Sequence, residues 1–126
     1  MVAIFAELYR LQFPIASMQT VEAFGADDDA SMAADNTSAF NCRSITGGGG
    51  WSLHSYGTAI DVNPRENPYV SGQTVLPPEG RDHLDRDDPA PGMIRAGDPV
   101  LGAFTAHGFT WGGSWTDPVD YQHFER

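Results

Sequence analysis

Lysine is missing from the 126 residues, and all seven basic side chains are arginines set against 17 Asp and Glu. The resulting formal charge of -10 repels a phosphate backbone, which argues against nucleic acid as a partner. Cysteine occurs once, at Cys42, so an intramolecular disulfide and a multi-cysteine metal knot are excluded. No run of about 18 apolar residues occurs, and no transmembrane helix is expected. The N-terminal stretch lacks a basic start, a long apolar stretch and a small-residue cleavage site, so it does not read as a signal peptide. An internal protein and one that begins after a removed leader both fit. What is present is 40% hydrophobic and 11% aromatic residues, too much for a disordered chain. A chain of this length hides roughly two-thirds of its unfolded surface in one core, which predicts a single domain over 1–126.

Apolar residues at Val2, Ile4, Phe5, Leu8, Tyr9 and Leu11 have helical spacing and predict an amphipathic helix that ends before Pro14. Ile15 to Ala23 reads as a strand. Gly25 to Asn36, with Asp27, Asp28, Asp29 and Asp35, reads as a solvated acidic loop, because the oxygen-ligand spacing of a calcium loop is missing. Asn36 to Arg43 suits a short strand or turn. Gly47 to Gly50 is a glycine loop without the G-K-[ST] of a phosphate cradle. Thr58 to Val62 is a short strand. Residues 64–92 hold most of the prolines and read as a long irregular excursion over a site. Pro99 to His107 is a helix with Gly108 as its stop, and Phe109–Trp111 and Val119–Phe124 are the last strands. The class is α+β with a small antiparallel sheet.

Chemistry must come from histidines and carboxylates. His54 and Asp61 share the stretch S-L-H-S-Y-G-T-A-I-D, and His123 stands in D-Y-Q-H-F-E. Two imidazoles and one carboxylate would bind zinc at about 2.0–2.2 Å and leave a fourth position open. An Asp among apolar strand residues needs a partner or a metal, because a lone buried charge is costly. Asp120 is placed to take a proton from water and return it to a leaving amine, or else to support a ligating His. Arg43 supplies a permanently charged fork for an oxyanion or a substrate carboxylate. His83 reads as a solvated loop residue and His107 as a helix C-terminal one. Cys42 reads as a small buried residue rather than a nucleophile, and Trp51, Trp111 and Trp115 as core residues before cleft walls.

S-x-H-x-x-G-x-A-x-D followed by D-x-x-H-F-E resembles the VanY-type D-alanyl-D-alanine carboxypeptidase family of zinc peptidases, relatives of endolysins that cut L-alanyl-D-glutamate bonds. N-T-S-A-F-N-C-R at 36–43, D-V-N-P-R-E-N-P-Y at 61–69 and G-F-T-W-G-G-S-W at 108–115 extend the likeness. The resemblance implies an α+β, Hedgehog-type scaffold with His54, Asp61 and His123 as zinc ligands. It also implies Asp120 as general base, Arg43 as polariser of the scissile carbonyl, and Ser52 at the substrate. Relatives commonly carry a further strand before the first helix, so the expectation is a trimmed form of a longer domain. The function implied is hydrolysis of peptidoglycan stem peptides, most directly as a D-Ala-D-Ala carboxypeptidase acting as a monomer at the cell wall or outside the cell. The alternatives are an L-alanyl-D-glutamate endopeptidase, a non-catalytic zinc-binding module and, more remotely, a metal-free carbohydrate-binding domain. A carboxypeptidase needs a cation for the terminal carboxylate, and Arg65, Arg81, Arg86 and Arg95 are the candidates.

Overall fold

In the computed structural model, which describes residues 1–126, the first helix, α1, runs over Val2–Arg10. Its three- and four-residue apolar spacing puts Ile4 and Leu8 on the buried face, as the periodicity predicts. The last helix, α3 (Pro99–Thr105), starts with proline at its first turn, where the missing N–H costs nothing. Gly108, at φ 80°, lets the chain turn out of it. Val100, Ala103 and Phe104 of α3 are buried and the helix packs on α1.

Six short strands make two three-stranded antiparallel sheets rather than one. The first orders β1 (Ala59–Asp61), β6 (His123–Glu125) and β4 (Thr110–Trp111), with β6 in the centre. The second orders β3 (Thr74–Leu76), β2 (Tyr69–Ser71) and β5 (Val119–Asp120). The prolines of 64–92 hide the β2–β3 hairpin from a sequence reading, although Gly72 at φ 56° makes its turn. Much of the remaining excursion is held by side chains instead of a backbone ladder. The Asn67 amide bonds the carbonyls of Val62, Asn63 and Gly92, and its carbonyl accepts from the Ile94 N–H at 2.7 Å. The Arg86 guanidinium donates to Glu66 O, His83 O, Asn67 Oδ1 and Ile94 O and lies over the Tyr121 ring.

Three further expectations are corrected. Residues 15–23 are not a strand: Ser17 makes one isolated bridge to Asn36, and Val21–Phe24 is a 3₁₀ turn closed by Gly25 at φ 68°. The acidic segment is not simply a loop. Asp27 accepts the Ala30 N–H at 3.1 Å and caps α2 (Asp28–Ala33), where first-turn acids suit the helix dipole. Cys42 is exposed, because the chain turns the preceding Asn41 inward to bond Asp28 Oδ1 and leaves Cys42 facing solvent.

Strand alternation connects the core to the site. Ile60 and Phe124 face each other across β1 and β6 and point into the core, both fully buried. Asp61 and His123 are the next opposed pair and point to the other face. Phe124 stacks on Phe104 with ring centroids 3.7 Å apart. Phe124→Ala should therefore destabilise by about 3–5 kcal/mol, seen as a lower urea midpoint at unchanged slope. A loss under about 1 kcal/mol would contradict this packing.

Candidate metal centre

His54 sits in the 3₁₀ turn Leu53–Tyr56, which opens at Ser52, whose hydroxyl accepts the His54 backbone N–H, and closes on Gly57 at φ 69°. The turn delivers the imidazole onto the β1–β6 face beside Asp61 and His123. All three residues are buried, at 1%, 4% and 8% exposure. His54 Nε2 lies 3.1 Å from Asp61 Oδ2 and 3.2 Å from His123 Nδ1, and His123 Nδ1 lies 3.0 Å from Asp61 Oδ1. Donors held tetrahedrally at about 2.0–2.1 Å from a zinc ion stand about 3.3–3.4 Å apart, close to these separations.

The outward ring nitrogens decide which way the lone pairs face. His54 Nδ1 is 2.8 Å from the Ala39 carbonyl and His123 Nε2 is 3.0 Å from Glu125 Oε2, both acceptors. Each outer nitrogen must therefore carry its proton, which leaves Nε2 of His54 and Nδ1 of His123 to turn their lone pairs inward. Two lone pairs and a carboxylate converging on one point repel unless a proton or a cation lies among them. The donor set thus fits a divalent metal.

The electrostatics agree. Burial alone would push both imidazoles towards the neutral form, but Asp61 reverses this and raises both, His123 to about 9. Burial likewise works against the charged Asp61, and the two histidines outweigh it and hold its carboxyl far below the usual range. Positive charge is what this centre demands.

Asp120, on β5, reaches the same cleft from the second sheet. Burial and the nearby Asp61 charge push its carboxyl up to about 7, and its Oδ1 has no hydrogen-bond partner. Its approach depends on Gly112: a Cβ there would stand 2.7 Å from the Asp120 carbonyl oxygen. Arg43 places Nε 2.9 Å from Asp28 Oδ2 and an Nη 3.9 Å from Asp61 Oδ2. Asp28, in the segment expected to be a solvated loop, is thus the partner that holds Arg43 beside the centre. No local spacing announces that, because α2 and Arg43 meet only through the fold.

The cleft has a volume of 370 Å³ and includes Arg43, Ser52, Tyr69, Trp115, Asp120 and His123 in its walls. Trp115 lies 5.5 Å from His123 between ring centroids, whereas Trp111 is core and Trp51 is exposed. A groove of similar volume beside α1, lined by Met1, Phe5, Met18 and Phe40 among others, offers no histidine, aspartate or arginine. His83 and His107 stay away from the centre. So do Arg65, Arg81, Arg86 and Arg95: none lines the cleft, and the first three are bonded to backbone carbonyls elsewhere.

A buried two-histidine, one-aspartate centre whose His123 lines an open cleft, with an unpaired carboxylate beside it, is the arrangement of a metal-dependent hydrolase. The chain belongs to the D-alanyl-D-alanine carboxypeptidase family of peptidases, whose family model matches residues 46–126. His54, Asp61, Asp120 and His123 lie within the match and Arg43 lies before it. No curated protein and no solved structure matches the chain. No helix is long and apolar enough to cross a membrane.

Proposed function

We propose that residues 1–126 form one zinc peptidase domain that hydrolyses D-Ala-containing stem peptides of bacterial peptidoglycan, at the cell wall or outside the cell. The observation that carries this reading is the set of three inward-facing donors, one of which, His123, lines the cleft together with Asp120. His54, Asp61 and His123 would hold the ion. Zinc, when bound, supplies a Lewis acid that polarises a carbonyl and lowers the pKa of water towards about 7. Asp120 takes the proton of the attacking water and returns it to the leaving amine, a task suited to a carboxyl raised near neutral pH. Arg43, permanently charged and fixed by Asp28, faces the negative charge that develops on the carbonyl oxygen. Ser52 shapes the wall beside it and contacts the substrate.

Family membership favours removal of a terminal D-Ala. A specific observation favours a second reading, the endopeptidase: Arg43 is the sole arginine lining the cleft and is already paired, so no free cation waits for a terminal carboxylate. Zinc-loaded protein incubated with muropeptides ending in D-Ala-D-Ala, followed by mass spectrometry, separates the two. Loss of one alanine supports the carboxypeptidase, and release of the stem peptide from L-Ala supports the endopeptidase. Intact muropeptides beside stoichiometric zinc would overturn the enzymatic reading in favour of a binding module.

A further inference from the structure

Glu125 belongs to the motif that contains His123, but the hydrolytic chemistry gives it no task. It stands in the central strand β6, opposite Ala59 of β1 and Thr110 of β4, so its backbone is fixed from both edges. Alternation puts it on the same face as His123, with Phe124 anchored in the core between them. Its carboxylate forms no ion pair with any arginine; its one charged-group partner is His123 Nε2, at 3.0 Å. A surface glutamate on a strand would be free to extend into water, and this one is folded back along its own strand onto an imidazole.

We propose that Glu125 is a positioning residue for the metal centre, holding His123 in the tautomer and ring orientation that turn Nδ1 towards Asp61 and His54. The inference rests on the metal-binding reading of that centre. The two histidines need separate devices because they come from different elements and offer different ring nitrogens. His54 comes from a 3₁₀ turn and is held at Nδ1 by the Ala39 carbonyl, so it offers Nε2. His123 comes from a strand and must offer Nδ1, the nitrogen closer to its backbone, which requires an acceptor further out at Nε2. Glu125, two residues on and on the same face, is the group within reach. A carboxylate there also makes the imidazole a more basic ligand than a carbonyl would.

Zinc affinity, measured by competition with a chelator, should fall about 10–100-fold in Glu125→Ala. The visible absorption of the cobalt-substituted protein should change with it, because the ring is no longer fixed. Glu125→Gln, whose side-chain carbonyl still accepts from Nε2–H, should recover most of the affinity and the wild-type cobalt spectrum. Urea midpoints of the metal-free proteins establish that all three are folded, as expected for a side chain that is 31% exposed. Wild-type zinc affinity and an unchanged cobalt spectrum in Glu125→Ala would overturn the proposal. So would Ala and Gln variants that are equally weak, because bulk charge and not orientation would then be what matters. Wild-type protein that takes up no zinc would instead overturn the metal reading on which the proposal stands.

Discussion

Asp120→Asn should retain the zinc content of the wild type and lose about 10²–10⁴-fold in kcat/KM on a muropeptide substrate. The side chain is not among the three converging donors, so the metal has no reason to leave. What disappears is the group proposed to accept and return the proton. Burial and the neighbouring Asp61 charge raise the Asp120 carboxyl from 3.8 to about 7. A raised carboxyl pKa means the folded state pays for ionisation: this contribution is absent at low pH and grows as pH rises from about 4 through about 7. Asn removes that cost, so the variant should be at least as stable as the wild type above pH 7, and unfolding cannot explain its inactivity. A base works only when ionised. Wild-type kcat/KM should therefore fall as pH drops below a value at or under about 7, since a bound cation lowers the carboxyl's pKa further. At saturating zinc the Asn variant should lack that limb. Near wild-type turnover would remove Asp120 from the role.

His54→Gln should abolish stoichiometric zinc binding under chelator-buffered conditions, a larger loss than the roughly 10–100-fold that follows removal of a ligand's supporting partner. The imidazole is one of only two nitrogen donors in the proposed ligand set, and its Nε2 lies within 3.2 Å of both other members. Glutamine keeps polar volume in a site that is 1% exposed but offers zinc a poor amide oxygen. Breaking one half of a buried charge cluster is also destabilising by about 3–5 kcal/mol where the partner is left uncompensated. His123 remains beside Asp61 at 3.0 Å, so the protein should fold, with a lowered urea midpoint. Metal content by elemental analysis, compared with circular dichroism, separates loss of the ligand from loss of the fold. Full zinc occupancy in a folded His54→Gln protein would break the ligand assignment.

The helices α1 and α3 were legible because their signals are local: three- and four-residue apolar spacing, a proline at the first turn, a glycine after the end. Strand β1 was legible for the same reason, a short apolar segment bounded by turns. Val119–Phe124, expected as one strand, instead divides into β5 and β6 of two different sheets because the chain turns at Tyr121 and Gln122. The segment 15–23 misled because apolar residues recur through it at Ile15, Ala16, Met18, Val21 and Ala23, while no neighbouring strand offers it a ladder beyond Ser17. The β2–β3 hairpin was lost among prolines. The order found in that excursion comes from Asn67 and Arg86, whose bonds reach residues up to 27 positions away and leave no periodic trace.

The donor types of the candidate centre and their order can be read along the chain, because zinc chemistry restricts ligands to a few side chains and His54, Asp61 and His123 stand in recognisable company. The sequence also placed Asp120 and Arg43 as candidates. Only the tertiary structure decided which nitrogen each imidazole turns inward, that Asp28 holds Arg43, that Gly112 makes room for Asp120, and that no other arginine enters the cleft. The physical reason is the same in each case. A residue's chemical capacity is covalent and local, whereas its partner, its burial and its charge environment depend on segments brought together from distant parts of the chain.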